Sequence, residues 1–237
     1  MPNSPSTIEP AGPCEYLPGR EWQFEYEPVE TLTPEEYQSR LDEGWRRFGY
    51  VLFRPRCTAC SACQGIRVRA AEFKPSRAQR RVRAKNESFT RIEIGAPQLD
   101  PPAFDLYLRF HRDREARRGW QHREQEDPFT YFTTFVLNPF PTEEWRYYRD
   151  DRLVGVGIVD TLPLGLSAVY FYHEPELDRL SLGTWNVLSV IARANALGLP
   201  FAYLGYYVPG CRSMEYKGRF RPHELLPRDG VWQQTPE

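Results

Sequence analysis

The stretch Trp145-Arg-Tyr-Tyr-Arg-Asp-Asp-Arg-Leu-Val-Gly-Val-Gly-Ile-Val159 decides the fold, because it predicts two strands joined by a tight turn at Asp150-Asp151. Leu166-Ser-Ala-Val-Tyr-Phe-Tyr172 predicts a third strand. A helix from Ser181 to Gly198 follows, with apolar residues at helical spacing, and residues 200–208 predict a fourth strand. The C-terminal half is therefore expected to contain three antiparallel strands, a helix and a further strand, in that order.

This order is that of the acyltransferase fold that moves acetyl groups from coenzyme A to amines (the GNAT type), in which the helix start faces the donor's phosphates. Ser181-Leu-Gly-Thr occupies that helix start and lacks a repeated-glycine loop, so no coenzyme A is expected. We predict an α+β protein with an acyltransferase-like domain over residues 96–237. Residues 1–95 form a cysteine-bearing N-terminal α+β half.

The N-terminal half has its own helix and strand signals. Thr33-Pro34-Glu35-Glu36 predicts a helix start, with Thr as the N-cap and Pro at the first helical position. Tyr50-Val-Leu-Phe53 predicts a strand that leads into the cysteines, and Pro75-Ser76 predicts the start of another helix. A further helix is expected from about Pro102, with a helix end and loop over residues 112–128.

Bulk composition excludes several classes of protein. The chain has 237 residues, of which 41% are apolar, so it can bury a sizeable core. Its net charge of −1 means that a nucleic-acid partner must be met by a local basic patch. The N-terminus does not resemble a secretion signal, and no apolar stretch is long enough to span a membrane. A cytoplasmic location is therefore expected.

Four cysteines form the sharpest local signal. Cys57-Thr-Ala-Cys60-Ser-Ala-Cys63 brings three thiols together, and Cys14 supplies a fourth. Four thiolates suit zinc or an iron–sulfur cluster, and the spacing does not choose between them. The alternative is that Cys14 is an ordinary buried residue and the triplet binds no metal.

Residues 67–91 form a basic segment, with nine Lys or Arg against two Glu. The simplest interpretation is a solvated surface, but the local excess favours contact with an RNA backbone. The candidates are Arg77, Arg80 and Arg81, with Lys85 beside them.

Several segments together resemble the aminoacyl-tRNA–protein transferases of the N-degron pathway, most closely the bacterial aspartate/glutamate leucyltransferases. They follow the family's order along nearly the whole chain: Cys14-x-Tyr-Leu-Pro-Gly-Arg20, Gly44-Trp-Arg-Arg47, Tyr50 to Pro55 with Cys57-x-x-Cys60-x-x-Cys63 and Ile66-Arg67-Val68, Ser76-Arg-Ala-Gln-Arg-Arg81, Leu166 to Pro175, Ser181-Leu-Gly-Thr, Tyr203-Leu-Gly-Tyr206 and Met214 to Pro222. The resemblance implies transfer of leucine from leucyl-tRNA to the N-terminal amine of proteins that begin with Asp or Glu. The new N-terminus then marks those proteins for degradation.

The chemistry implied needs an aligned amine, a proton acceptor and help for the developing oxyanion. We predict Asp160 or Glu215 as the base and Tyr170 as a hydrogen-bond donor to the oxyanion, with Ser167 as the alternative donor. An acidic acceptor needs a cation, and the substrate-binding candidates for this part are Tyr206, Tyr216, Lys217 and Arg219.

Three alternatives remain open from the sequence. Gly210-Cys-Arg-Ser-Met-Glu-Tyr-Lys-Gly218 is similar to the eukaryotic arginyltransferases, which implies arginyl-tRNA as the donor for the same acceptors. A metal-containing RNA-binding module without catalysis is the second alternative. A coenzyme A acetyltransferase is the third, and the missing glycine-rich loop disfavours it.

Overall fold

A computed structural model describes residues 5–118, 127–228 and 230–235. The α-helices are α1 (Pro34–Asp42), α2 (Arg77–Asn86), α3 (Pro101–Arg118), α4 (Pro128–Tyr131), α5 (Leu182–Ala196) and α6 (Arg212–Glu215). The strands are β1 (Thr7–Ile8), β2 (Gly12–Pro13), β3 (Glu21–Trp22), β4 (Phe24–Pro28), β5 (Arg46–Phe48), β6 (Val51–Pro55), β7 (Gln64–Arg69), β8 (Arg91–Gly95), β9 (Thr142–Arg149), β10 (Arg152–Leu162), β11 (Gly165–His173), β12 (Phe201–Tyr207), β13 (His223–Leu226) and β14 (Gln233–Gln234). Short 3₁₀ segments cover Pro175–Leu180 and Tyr216–Arg219, and a π-helical turn covers Phe132–Val136.

An eight-stranded sheet in the order β14-β13-β7-β12-β11-β10-β9-β8 organises the molecule. β9, β10 and β11 are antiparallel, whereas β11 and β12 run parallel and are joined through α5. A parallel pair requires such a crossover connection, so α5 packs back onto one face of the sheet. This arrangement confirms the predicted strand order of the C-terminal half.

Both faces of the sheet are covered by helices. α5 places Trp185, Leu188 and Ile191 in one core, together with residues of β7, β10 and β12. On the other side α3 contributes Leu106 and Phe110 to a second core with residues of β10 and β11. The strands in the centre of the sheet are therefore almost wholly apolar, as expected for a sheet that is buried on both faces.

A smaller sheet of order β1-β4-β6-β5 lies beside the large one. Its helix α1 begins as predicted, because Thr33 and Glu36 form a reciprocal capping box at Pro34. Tyr37 and Leu41 of α1 pack in a third core that includes Leu162 and Tyr203 of the large sheet. The smaller sheet is thus fixed to the large sheet through β5 and α1.

The predicted α+β class is confirmed, with the cysteines in the N-terminal half. The predicted boundary at residue 95 stays a prediction, and the large sheet takes strands β7 and β8 from before it. Of the segment 112–128, expected to be a helix end and loop, residues 112–118 form the end of α3, and residues 119–126 lie outside the described part. No described helix is both long enough and apolar enough to cross a membrane.

Candidate functional site

The parallel strands β11 and β12 open away from each other in the middle of the large sheet. They pair at three positions, where Gly165, Leu166 and Ser167 face residues 201–203. Just beyond, β11 carries an irregularity, since Ile158 of β10 faces Tyr170 while the next residue, Val159, faces Ala168. The extra residue is Val169, and such a bulge bends its strand and leaves one residue unpaired. β12 therefore does not pair with β11 past Ser167, and we call the region between the two strands beyond that point the cleft.

Aromatic rings line the β11 side of this cleft. The ring of Tyr170 lies 5.8 Å from Phe48 of β5 and 5.1 Å from Phe135, measured between centroids. Phe48 also stacks on Phe53 at 5.5 Å and keeps 38% of its surface exposed. The hydroxyl of Tyr170, the predicted oxyanion donor, lies 2.8 Å from Nε2 of His111. The predicted residue is thus at the cleft, within an apolar wall.

The β12 side of the cleft carries cations. Nη2 of Arg46 donates to the carbonyl of Gly205 at 3.4 Å, and its guanidinium lies 5.2 Å from the centre of the Tyr206 ring. Nζ of Lys217 donates to the carbonyl of Tyr206 at 2.9 Å. Burial, together with the charge of Arg46, lowers the pKa of Lys217 to about 8. Of the predicted substrate-binding residues, Tyr206 and Lys217 therefore meet beside the cleft.

Asp160, one of the two predicted bases, lies in a closed ion pair. Both of its carboxylate oxygens accept from Arg47, with Nε to Oδ2 at 2.9 Å, and Thr142 donates to Oδ1 at 2.9 Å. Neither Asp160 nor the Arg47 side chain has any exposed surface. This arrangement favours a structural role for Asp160, because an occupied and enclosed carboxylate is badly placed to take a proton from an amine.

The remaining predicted residues of the C-terminal segment lie in three different environments. Glu215 is exposed at the end of α6. Tyr216 packs at the edge of the core around α5, and burial raises the pKa of its phenol. Arg219 is exposed, and its carbonyl accepts from Gln79 of α2 at 3.1 Å. Arg219 thus lies near the basic helix rather than at the cleft.

Helix α2 presents Arg77, Arg80 and Arg81 to solvent. Its orientation is fixed from the other side, where Gln79 and Asn86 are buried and Asn86 donates to the carbonyl of Leu180 at 3.0 Å. The basic surface of α2 therefore stands apart from the core and is open to a polyanion.

Arg67 and Arg69 belong to the same basic segment but lie on β7. There they pair with Glu224, with the closest contacts at 2.6 and 2.8 Å respectively. These two arginines stabilise the fold through their ion pairs with Glu224. Fewer positive charges of residues 67–91 are therefore available to contact RNA than the sequence suggests.

The four predicted metal ligands lie in one region of the N-terminal half. Cys57, Cys60 and Cys63 line a common recess beside Tyr206. Burial, followed by the nearby thiols of Cys57, Cys14 and Cys60, raises the pKa of Cys63 to about 12. Within the described ranges, however, no three His, Cys, Asp or Glu side chains converge closely enough to hold a metal ion. The four cysteines do not fit a metal site in this arrangement, and zinc or an iron–sulfur cluster stays a prediction.

Comparison with known proteins decides the family. The model of the arginine-tRNA-protein transferase C terminus matches residues 102–227, and the model of the N terminus of the same family matches residues 12–81. The chain belongs to the arginine-tRNA–protein transferase family. As a member of this family it is an enzyme, a transferase.

Similar curated members of the family carry a more specific name. An aspartate/glutamate leucyltransferase of Pseudomonas fluorescens (strain Pf0-1) is 37% identical over 90% of this chain and 89% of its own length. One from Campylobacter jejuni (strain 81-176) is 32% identical over the same shares. Among solved structures, L-PGS from Bacillus licheniformis aligns with 74% of this chain and 59% of its own, at 12% identity and a TM-score of 0.45.

Strand β5 holds the site residues to which sequence reasoning gave no role. Arg46 and Arg47 are both buried, and they connect the smaller sheet to Gly205 and Asp160 of the large one. The signal was present in the sequence, since two adjacent arginines follow the buried Trp45 and precede Phe48. Arginines in such an aromatic setting are typically paired or stacked. For this transferase, β5 therefore supplies both a cationic and an apolar contribution to the cleft.

Proposed function

We propose that this chain transfers leucine from leucyl-tRNA to the N-terminal amine of proteins that begin with Asp or Glu. The observation that carries the proposal is the 37% identity, over 90% of the chain, to a relative named aspartate/glutamate leucyltransferase. The added leucine marks the acceptor for degradation in the N-degron pathway, and we place the reaction in the cytoplasm.

The reaction needs no oxidant or reductant. The acceptor's amine nitrogen attacks the carbonyl carbon of the aminoacyl ester, an amide bond forms, and the ester bond to the tRNA ribose breaks. The amine loses a proton and the departing ribose oxygen takes one. Because the ester is already activated, the protein has mainly to align the amine and stabilise the negative oxygen.

We assign the aminoacyl group to the cleft between β11 and β12. The part of β11 that extends beyond its pairing with β12, including the bulge at Val169, would offer backbone groups to the ester carbonyl. Tyr170 lies at the same place, although its hydroxyl is also within hydrogen-bond distance of His111. The acyl carbon would then be held in the centre of a rigid sheet, where position is well defined.

The character of the cleft supports leucine as the donor residue. The Phe48, Phe135 and Tyr170 rings offer an apolar wall to a branched aliphatic side chain. Arg46 lies close by, so the guanidinium of an arginyl group would be repelled by like charge. Asp160 would not compensate for it, because this carboxylate is already paired with Arg47.

The proton of the attacking amine needs an acceptor of modest strength, since an α-amino group has a pKa near 8. We propose that water or the exposed Glu215 takes it, in preference to the enclosed Asp160. Arg77, Arg80 and Arg81 of α2 are proposed to contact the tRNA backbone.

One assay tests the proposal. Purified protein is given a peptide that begins with Asp and tRNA charged with labelled leucine, and the peptide is expected to gain leucine. A peptide of the same sequence beginning with Ser is the control and should gain none. Absence of any leucine transfer to the Asp peptide would refute the proposed function.

Arginine is the second candidate donor, because the matching family model is described as an arginine-tRNA-protein transferase. Arginyl-tRNA is therefore offered in parallel. Faster transfer of arginine than of leucine, at equal concentrations of charged tRNA, would assign the chain to the arginyl activity.

A further inference from the structure

A recess opens beside the cleft, between the cysteine segment and the ends of several strands. It is the recess lined by Cys57, Cys60 and Cys63 that was described above. Its walls also include Arg54, Arg56, Tyr206, Leu226 and Arg228. It is separate from the basic face of α2, whose arginines do not line it. Three arginines around one small concavity concentrate positive charge, which opposes folding unless carboxylates of the protein or a bound anion neutralise it.

The positive charge of the recess is only partly neutralised. Arg54 and Arg56 both donate through Nε to the same oxygen of Glu25, each at 2.7 Å. Although burial opposes it, hydrogen bonds from Arg54, Ser6 and Arg56 lower the pKa of Glu25 to about 2. The two positive charges of Arg54 and Arg56 therefore share the single negative charge of Glu25.

The third arginine adds to this excess. Nη1 of Arg228 donates to the backbone carbonyl of Cys57 at 2.5 Å, and no carboxylate among the described residues pairs with it. Glu43 also lines the recess, but its carboxylate lies 3.6 Å from Arg40. The recess retains a net positive charge.

The two arginines that meet Glu25 are held in position. Their side chains are 21% and 35% exposed, and the guanidinium of Arg54 lies 4.3 Å from the centre of the Trp45 ring. Each Nε is used by Glu25, which leaves the terminal nitrogens for another acceptor. A cation that is already ordered loses little entropy when it binds, which suits a specificity site.

Tyr206 connects the recess with the cleft. It lines the recess, and its hydroxyl donates to the carbonyl of Gly44 at 2.7 Å. Its own carbonyl accepts from Lys217, and the preceding Gly205 faces Arg46. Tyr206 and its neighbour Gly205 are therefore shared between the recess and the cations Arg46 and Lys217.

From these contacts we infer that the recess binds the side-chain carboxylate of the acceptor's first residue, through Arg56, Arg54 and Arg228. The inference rests on the proposed function and adds the acceptor's binding site to it. A carboxylate on a short side chain can enter a concavity, whereas an RNA phosphate carries a ribose on each side and suits the convex face of α2. The planar guanidinium also matches a carboxylate in two hydrogen bonds.

The test separates the acceptor from the donor. Arg56→Gln keeps a polar side chain of similar reach but removes the charge. We expect the KM for a peptide beginning with Asp to rise about tenfold or more. The KM for leucyl-tRNA should stay within about twofold, because the phosphate contacts are placed elsewhere. Preference for an Asp peptide over the matching Asn peptide should fall by a similar factor.

Arg228→Gln provides a second variant, since Arg228 is exposed and carries no ion pair in the described residues. The control is Arg193→Gln, which removes an exposed arginine at the end of α5 and should leave both KM values unchanged. Thermal unfolding of each variant verifies that the fold is retained.

The outcomes are distinct from those of the proposed function. If the unmodified protein transfers no leucine, the proposed function itself is wrong. If it transfers leucine but Arg56→Gln and Arg228→Gln leave the KM for the Asp peptide unchanged, the recess is not the acceptor site. A raised KM for leucyl-tRNA in place of the peptide would assign the recess to RNA and would also overturn the inference.

Discussion

Arg47 and Asp160 form a fully buried, bidentate ion pair that joins β5 of the smaller sheet to β10 of the large sheet. Arg47 also donates to the carbonyl of Gly49 at 2.9 Å and to Oδ1 of Asn138 at 2.8 Å. The pair therefore fixes how the strand that covers the cleft is held against the sheet that contains it.

Removal of Asp160 is expected to act on stability. Asp160→Ala leaves a buried guanidinium without its counter-ion, which should lower the free energy of unfolding by about 3–5 kcal/mol. Urea denaturation followed by circular dichroism measures the change. Asp105→Ala, an exposed carboxylate on α3, is the matched control and should change stability little. A normal unfolding midpoint combined with lost turnover would restore Asp160 as the catalytic base.

The arginines of α2 are expected to act on RNA binding. The triple variant Arg77→Gln, Arg80→Gln and Arg81→Gln should weaken binding of leucyl-tRNA. It should also reduce the slope of log affinity against log salt concentration by about 2 to 3, because up to three phosphate contacts are lost. The KM for the acceptor peptide should not change.

Arg83→Gln is the control for the α2 experiment, because Arg83 already pairs with Glu87 one turn along the helix. Salt-dependent filter binding measures both quantities. An unchanged salt slope in the triple variant would move the RNA contact away from α2.

Lys217 is expected to make stability depend on pH. Its pKa is lowered to about 8, while an unfolded lysine titrates near 10.5. Between these values the unfolded state binds more protons than the folded state, so the free energy of unfolding rises with pH. Below pH 8 both states are charged, and the cost of burying the charge is fully present.

The matched comparison for Lys217 is the Lys217→Met variant, which carries no such proton. Relative to it, the unmodified protein should gain about 1–3 kcal/mol of stability between pH 7.5 and 10. Urea midpoints across that range provide the measurement. A constant difference between the two proteins would mean that Lys217 keeps an ordinary pKa.

The predicted metal is open to direct analysis. The metal predicted from the sequence requires that protein purified without oxygen contain either about one zinc per chain, without colour, or iron with absorbance near roughly 400 nm. The cysteines as described do not converge on such a site, so this measurement decides between sequence and structure. Cys60→Ser should hold less metal, whereas Cys211→Ser should hold as much as the unmodified protein. A metal-free chain that transfers leucine at full rate would refute the prediction.

Much of the fold follows from local sequence because its signals are local. The Thr33 capping box, the Ser76 capping box and the Asp150-Asp151 turn all occur where the sequence predicts them. Both aspartates of the turn have positive φ, which Asp tolerates and a tight hairpin requires. The apolar face of α5 is likewise buried.

Other features depend on partners that are far away in the chain. Arg67 pairs with Glu224 across 157 residues, so its charge could not be assigned from the basic segment alone. Lys217 and Tyr206 contact each other, and their role at the site stays a prediction. The buried state of Asp160 depends on Arg47, 113 residues before it. Local patterns give residue types, whereas burial and pairing come from tertiary structure.

The position of β7 has a consequence for biosynthesis. This strand lies inside the large sheet with β12 on one side and β13 on the other, and both are made more than a hundred residues later. While the chain is still emerging from the ribosome, β7 has neither neighbouring strand, and its apolar side chains Ile66 and Val68 remain exposed to solvent. Unpaired strands of this kind promote aggregation, so the nascent chain should depend on a holding chaperone until its last strands have been released.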